Sequence, residues 1–158
     1  ASGGGISAGE MVIRQSGWVN VINASAIGND AHGGGIEARN LTVGFSLASL
    51  GRLTVTDALV QGEQARGGGV FTGTLDIANR DSTLVVLRAK ASGDDGGGGG
   101  VYVQEDCLIA GVLDVSHCET AQLRAIGGGL VVRERLHVSE SAFVSLMNVH
   151  GWGQESDA

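Results

Sequence analysis

One short phrase recurs five times in this chain: a run of three or more glycines followed at once by an aliphatic residue. It is written SGGGIS, HGGGIE, RGGGVF, GGGGVY and IGGGLV. The triplets begin at Gly3, Gly33, Gly67, Gly98 and Gly127, so successive triplets are 30, 34, 31 and 29 residues apart. A self-similar unit of this length indicates a solenoid or another repeat architecture.

Two alternating aliphatic pairs lie in each repeat. Four pairs begin 14 residues before the next triplet: Val19/Val21, Leu53/Val55, Leu84/Val86 and Leu113/Val115. A small residue follows each of these pairs: Ala24, Ala58, Ala89 and Cys118. The other pairs follow the triplets: Met11/Ile13, Leu41/Val43, Leu75/Ile77, Cys107/Ile109 and Leu136/Val138. A period of two is typical of β-strands.

This pattern predicts an all-β fold, a right-handed parallel β-helix. We expect residues 1–158 to form a single domain of about five coils, each with about 31 residues and three short strands. Equivalent strands should stack in parallel about 4.8 Å apart, so each repeat position becomes a ladder along the axis. The crossover preference of parallel strands favours the right-handed coil.

The glycine triplets are predicted to form the corners of this coil. A chain that turns sharply against its own copy one coil away needs positive φ and close backbone approach, and glycine permits both. We therefore expect Gly3, Gly33, Gly67, Gly98 and Gly127 to be structural corner residues.

The phrase GGGΦ, followed by LxV and then LxVxxA, resembles the repeats of polymorphic outer membrane proteins and related adhesins with right-handed parallel β-helices. It is also similar to β-helix repeats in large algal and protist proteins. The chain has GGG and Ala or Cys where that bacterial family usually has GGA-Ile and Phe-x-x-Asn. The resemblance implies a β-helix scaffold in an extracellular or cell-surface setting.

Composition excludes several classes of function. The formal net charge is −7 and no Lys/Arg cluster is present, which argues against nucleic-acid binding. No run of 18 apolar residues occurs, so no membrane span is predicted. Both chain ends fall at the same point of the repeat, from which we expect a segment of a longer solenoid.

The two cysteines, Cys107 and Cys118, replace aliphatic or small residues at inward positions of one coil. They can form a cross-core disulfide in an oxidising compartment, or remain two buried thiols. Two cysteines do not supply a zinc site. Asp94 and Asp95, beside a glycine run, could bind Ca²⁺ but lack a calcium-repeat motif, and the four histidines do not share metal-ligand spacing. We therefore expect no cofactor or metal.

The position after the triplet aliphatic holds the candidate interaction face: Phe71, Tyr102 and Val131. Alternation directs this column outward, so it predicts an exposed apolar ladder for a protein partner or for sugar rings. A covering loop, or a register slip by one residue, would instead place it inside. Leu87 and Met147 are expected to face out from another strand.

The predicted outward-facing columns give little support for a catalytic site. Polysaccharide lyases and hydrolases on this fold need paired carboxylates. Asp76 and Asp114 belong to different predicted faces, and neither outward column stacks two acids. Threonines are scattered over several columns, which argues against a flat ice-binding ladder.

The sequence thus predicts a non-catalytic scaffold for adhesion or protein–protein interaction, with carbohydrate binding or carbohydrate-active chemistry as the alternative. The expected partners are a protein or neighbouring coils of a longer chain, and the expected location is the cell surface or the outside of the cell. A lumenal subunit of a larger complex fits the residues equally well.

Overall fold

The computed structural model of the chain describes residues 3–14, 16–44 and 50–153. Every helix-or-strand element within these ranges is a β-strand. In chain order the strands are β1 (Ile6–Ile13), β2 (Gly17–Ile22), β3 (Ser25–Ile27), β4 (Asp30–His32), β5 (Ile36–Val43), β6 (Gly51–Thr56), β7 (Leu59–Arg66), β8 (Val70–Ile77), β9 (Thr83–Leu87), β10 (Lys90–Gly97), β11 (Val101–Val103), β12 (Asp106–Ile109), β13 (Val112–Ser116), β14 (Glu119–Ile126), β15 (Leu130–Val132), β16 (Arg135–Val138), β17 (Phe143–Met147) and β18 (His150–Trp152).

The strands form three sheets, and each sheet takes its strands from successive repeats. The first sheet has the order β1-β5-β8-β11-β15, and in the same sheet β12 pairs with β8 on one side and with β16 on the other. The second has the order β2-β6-β9-β13-β17. The third has the order β3-β7-β10-β14-β18, with β4 also paired to β7. Neighbouring strands are parallel in all three sheets, for example β5 with β8 and β6 with β9.

This arrangement is a β-solenoid of about four turns of about 31 residues, measured from the glycine corner at Gly3 to that at Gly127. The all-β parallel solenoid predicted from the sequence is confirmed. The predicted five coils correspond to the five strand levels of each sheet. We call strands β1–β4 the first coil and strands β15–β18 the last coil. The chain ends from which a longer solenoid was inferred, residues 1–2 and 154–158, lie outside the described residues.

The core consists of aliphatic ladders that run along the solenoid axis. One ladder pairs Ile36 with Val70 and Val70 with Val101, and another pairs Val55 with Val86 and Val86 with Val115. All of these side chains are fully buried. Each contributes about 1.5–3 kcal/mol relative to an exposed side chain, so the small aliphatics that repeat in the sequence stabilise every level in the same way.

Each glycine triplet forms a corner in which its three residues have different roles. The first glycines, Gly3, Gly33, Gly67, Gly98 and Gly127, all have φ between +51° and +61°. At the second and third glycines, a Cβ would lie closer than 3.0 Å to other atoms. At Gly68 those atoms are backbone of Lys90 and Gly99, and at Gly69 they include Cγ1 of Val86. A side chain at the second or third glycine would therefore have to displace backbone atoms or core side chains.

Backbone hydrogen bonds at this corner run in one direction along the axis. The N–H groups of Gly69 and Val70 both donate to the carbonyl of Gly100 in the next coil, at 2.9 Å. Gly100 N–H in turn donates to Gly129 at 3.1 Å. The corner of each coil is thus a donor toward the following coil and an acceptor toward the preceding one.

A second corner uses the left-handed backbone region without glycine. Its column consists of Asn23, Asp57, Arg88, His117 and Asn148, all with φ between +51° and +55°. Each N–H at the first four positions donates to the next coil, as Asp57 does to Leu87 at 3.0 Å. This column was not among the features predicted from the sequence. The Asn and Asp residues at three of its positions were the available signal, since both tolerate this conformation.

Candidate functional site

The candidate interaction face lies on the outer side of the first sheet. Phe71 pairs in register with Tyr102, and Tyr102 pairs with Val131. The two aromatic rings stack, with centroids 5.6 Å apart and planes 22° apart. These residues therefore form one column along the axis.

The predicted exposure of this column is wrong for its two aromatic members. Phe71 is 6 % exposed and Tyr102 is 7 % exposed, whereas Val131 is half-buried. The reason is that a residue just before a glycine triplet reaches over the next coil. The His32 ring stacks on Phe71 at 4.3 Å, and the Arg66 guanidinium lies 5.9 Å from the centre of the Tyr102 ring. Since Phe71 has His32 and Tyr102 as stacking partners, it is not an open platform for a sugar ring.

A shallow groove of about 450 Å³ adjoins this column on the first sheet. Its polar lining includes Glu37, Arg39, Gln104 and Glu105, with Phe71 contributing apolar surface. The Glu37 Oε2 atom is shielded from solvent and has no hydrogen-bond partner in the described part of the chain. The groove therefore presents charged and polar side chains beside an apolar edge.

His32 is electrostatically coupled to the same corner. Burial against its neighbours lowers the pKa of His32, although the Glu37 carboxylate acts in the opposite direction. Its Nε2 atom also lacks a hydrogen-bond partner among the residues described. The imidazole is thus held in its neutral form more strongly than in water.

Two single carboxylates lie on separate outer faces. Asp76 is in β8 of the first sheet, between Thr42 and Leu108 in its column. Burial raises the pKa of Asp76, and its Oδ1 atom has no partner within the described ranges. Asp114 is in β13 of the second sheet. The sheets keep the two carboxylates on different faces, so they do not form an acid–base pair.

Both cysteines are buried in the core as free thiols. Of the two alternatives left open by the sequence, the structure contains the thiols and no disulfide. Cys118 Sγ points to the carbonyl of Ser116 at 3.4 Å and fills the space beside Gly100. Burial raises the pKa of Cys107 to about 12 and that of Cys118 to about 11. Neither thiol is an activated nucleophile.

Across residues 3–14, 16–44 and 50–153, no group of three His, Cys, Asp or Glu side chains is arranged to hold a metal ion. No helix in these ranges is long and apolar enough to cross a membrane.

Exposed large hydrophobic side chains are concentrated at the two ends of the described solenoid. Those more than half exposed are Trp18, Ile22, Ile27, Ile126, Leu136, Phe143, Met147 and Trp152. All except Ile126 belong to the first or the last coil. Of the two residues expected to face outward from another strand, Met147 is 54 % exposed and Leu87 is partly buried.

No protein-family model, no curated protein and no solved structure matches this chain.

Proposed function

We propose that this chain is a non-catalytic β-helix scaffold that binds protein partners within a larger assembly. The single observation that carries this proposal is the set of exposed large apolar side chains on its outer surface. Trp18 is 70 % exposed, and Phe143 and Trp152 are 61 % and 63 % exposed. Large apolar side chains that are this exposed on a folded protein support the presence of a surface that partners cover.

Rigidity supports the same function. The core ladders are buried at every interior level, and adjacent coils pair residue by residue. Such a stack presents outer side chains at fixed spacings of about 4.8 Å. The repeat resemblance to β-helix adhesins supports a scaffold, and we propose a location at the cell surface or outside the cell. A lumenal subunit of a complex is the second location that we consider.

Hydroxyl-radical labelling with mass spectrometry tests the proposal. We expect Trp18 and Trp152 to be oxidised in the dilute isolated chain and protected in a native extract. Tyr102, which is buried, serves as the internal control and should label weakly in both samples. Equal oxidation of Trp18 and Trp152 in the two samples would contradict a partner-binding function.

Carbohydrate binding or cleavage is the alternative function, and the groove beside Phe71 supports it. Glu37 and Glu105 both belong to its lining, so the groove carries two carboxyl groups. The alternative predicts binding or depolymerisation of a polysaccharide that is lost in Glu37→Gln and Glu105→Gln. Glu63→Gln, which lies outside this groove, is the matched control. Absence of binding and cleavage across neutral and acidic polysaccharides would exclude the alternative.

A further inference from the structure

The outer face of the second sheet carries few charges on its interior levels. The three interior strands β6, β9 and β13 each have a neighbouring strand on both sides, so this face lies away from the first and the last strand of the sheet. Alternation along these strands directs outward the residues Arg52, Thr54, Thr56, Thr83, Val85, Leu87, Val112, Asp114 and Ser116. We call these nine residues the second-sheet face. Only two of them, Arg52 and Asp114, are charged.

The middle of the second-sheet face is aliphatic. Val85 and Leu87 lie on its middle level, and Val112 lies on the next level. Thr54 and Thr56 precede Val85 and Leu87 in their columns and add methyl groups to the same surface. All five side chains are half-buried, so each keeps part of its surface open. A regular sheet face of aliphatic and β-branched residues is suited to packing against another sheet face.

The two charges of the second-sheet face have no ion-pair partner in the described part of the chain. Arg52 is exposed on β6, and Asp114 is half-buried on β13, two levels further along the axis. Two levels correspond to about 9.6 Å, which keeps the two groups apart within one copy. Elsewhere on the surface, opposite charges of adjacent coils do pair: Lys90 with Glu119, Arg88 with Asp57, and Arg135 with Asp106.

We infer that two copies of this chain bind each other through the second-sheet face, with Arg52 of each copy against Asp114 of the other. This inference rests on the proposed protein-binding function and names the partner. In a two-fold interface, the contact of one residue with another is repeated with the two copies exchanged. One arrangement therefore satisfies both charges of both copies. The two ion pairs would flank Thr83 and Val85, which lie on the level between them.

The aliphatic and the charged residues have different roles at this interface. Burial of Val85, Leu87 and Val112 supplies the affinity, because removal of apolar surface from water is favourable. The ion pairs of Arg52 and Asp114 fix the relative orientation of the copies. Any orientation that sets these two groups against uncharged side chains removes them from water without compensation, which is unfavourable.

The size of the sheet face predicts a weak and reversible dimer. The five strands of the second sheet have five or six residues each. At about 4.8 Å between strands and about 3.4 Å per residue, the sheet face measures about 24 by 17–20 Å, or about 400–500 Å² per copy. Twice this area lies below about 1,200 Å², in the range of transient interfaces.

Charge reversal tests the pairing of Arg52 with Asp114. Arg52→Glu and Asp114→Arg should each weaken self-association by roughly tenfold or more, because like charges then meet at both symmetric contacts. An equimolar mixture of the two variants brings opposite charges together at both contacts, so we expect a heterodimer of about the original affinity. Arg39→Glu and Asp94→Arg make the same charge changes on the other two sheets and should leave self-association unchanged.

Sedimentation velocity and native mass spectrometry measure these outcomes. Self-association that neither reversal weakens, or a mixture that does not restore the dimer, would overturn the inference. The unmodified chain should pass from monomer to dimer as concentration rises and form nothing larger, since a two-fold contact closes on itself. A chain that stays monomeric at every concentration would overturn the inference as well.

The aliphatic part of the face has its own test. Leu87→Lys should weaken the dimer by roughly tenfold or more, because it places a charge against the apolar surface of the second copy. Leu108→Lys is the matched control, since Leu108 faces outward on an interior level of the first sheet. Equal effects of the two variants would contradict the inference. If the isolated chain were monomeric while Trp18 was protected in a native extract, the protein-binding function would stand and only the second copy would be rejected.

Discussion

At the scale of single residues, the triplet glycines are required for two separate reasons. The first residue of each triplet needs a left-handed backbone, and the second and third leave no space for a side chain. Each GGG motif therefore reflects one constraint on backbone conformation and two constraints on the space for a side chain. It recurs because each coil presents the same corner to the next.

Replacing Gly69 by alanine should destabilise the fold by about 1–3 kcal/mol, because its Cβ would overlap Cγ1 of Val86. Gly9→Ala is the matched control, since a Cβ there has no neighbour within 4 Å. We expect the control to change the free energy of unfolding by no more than about 0.5 kcal/mol. Denaturant unfolding compares the two variants, and equal effects would contradict the corner account.

The buried thiols predict a defined reactivity. At about pH 8, Cys107 and Cys118 should not react with a thiol reagent in the native chain, and both should react once it is unfolded. Their folded pKa values, about 12 and about 11, exceed the ordinary value of 9.0. The stability they contribute is therefore fully present below pH 9 and is lost as the pH rises through those values. Rapid reaction of the native chain at pH 8 would refute this burial.

His32 predicts the opposite pH dependence. Its folded pKa lies below the ordinary value of 6.5, so the unfolded chain binds a proton more readily. The stability this contributes is present above pH 6.5 and is lost as pH falls through the folded pKa. Between about pH 7.5 and pH 5, the unmodified chain should lose more unfolding free energy than His32→Phe does. Equal losses would show that His32 does not contribute.

At the scale of elements, ion pairs join equivalent positions of adjacent coils. Lys90 Nζ lies 2.6 Å from Glu119 Oε1, and β10 pairs with β14 in that register. Arg88 forms two hydrogen bonds with the Asp57 carboxylate one coil away. Such exposed pairs add little stability, but a one-residue slip would separate them. They therefore favour the observed register.

The column of Phe71 and Tyr102 tests whether side chains of neighbouring coils shield an aromatic ring from solvent. Phe71→Ala should cost about 3–5 kcal/mol because the ring is enclosed by His32 and Tyr102. Val131→Ala, in the same column but half-buried, should cost clearly less. Unfolding free energies from denaturant titrations decide this. A negligible effect at Phe71 would mean that the ring is exposed in solution.

Much of the fold could be predicted because, in a solenoid, each column of the core is formed by the same type of residue in successive repeats. Val55, Val86 and Val115 recur at one position, and their pairing follows from that spacing. Exposure on the outer face could not be predicted in the same way. The alternation of residues along a strand predicts the face on which a side chain lies, but it does not predict whether another coil covers that side chain. Phe71 is covered by His32 from the preceding coil.

The candidate site was predicted only in part for the same physical reason. The column Phe71, Tyr102 and Val131 follows from the repeat, but the groove at Glu37 and Glu105 depends on side-chain conformations across several coils. The left-handed column was also missed, because Arg88 and His117 share its backbone conformation without the usual residue type.

At the scale of the whole molecule, the described coils form a stack in which every interior level pairs with neighbours on both sides. The core side chains of these levels are buried, so the stack presents its outer side chains at fixed positions. We therefore expect the outer faces to act as the binding surface of the scaffold.

The measurement that tests the central claim most directly is hydroxyl-radical labelling of Trp18 in the dilute isolated chain and in a native extract. A protein-binding scaffold predicts strong oxidation of Trp18 in the isolated chain, where the residue is 70 % exposed, and protection of Trp18 in the extract. Equal oxidation of Trp18 in the two samples would contradict the claim.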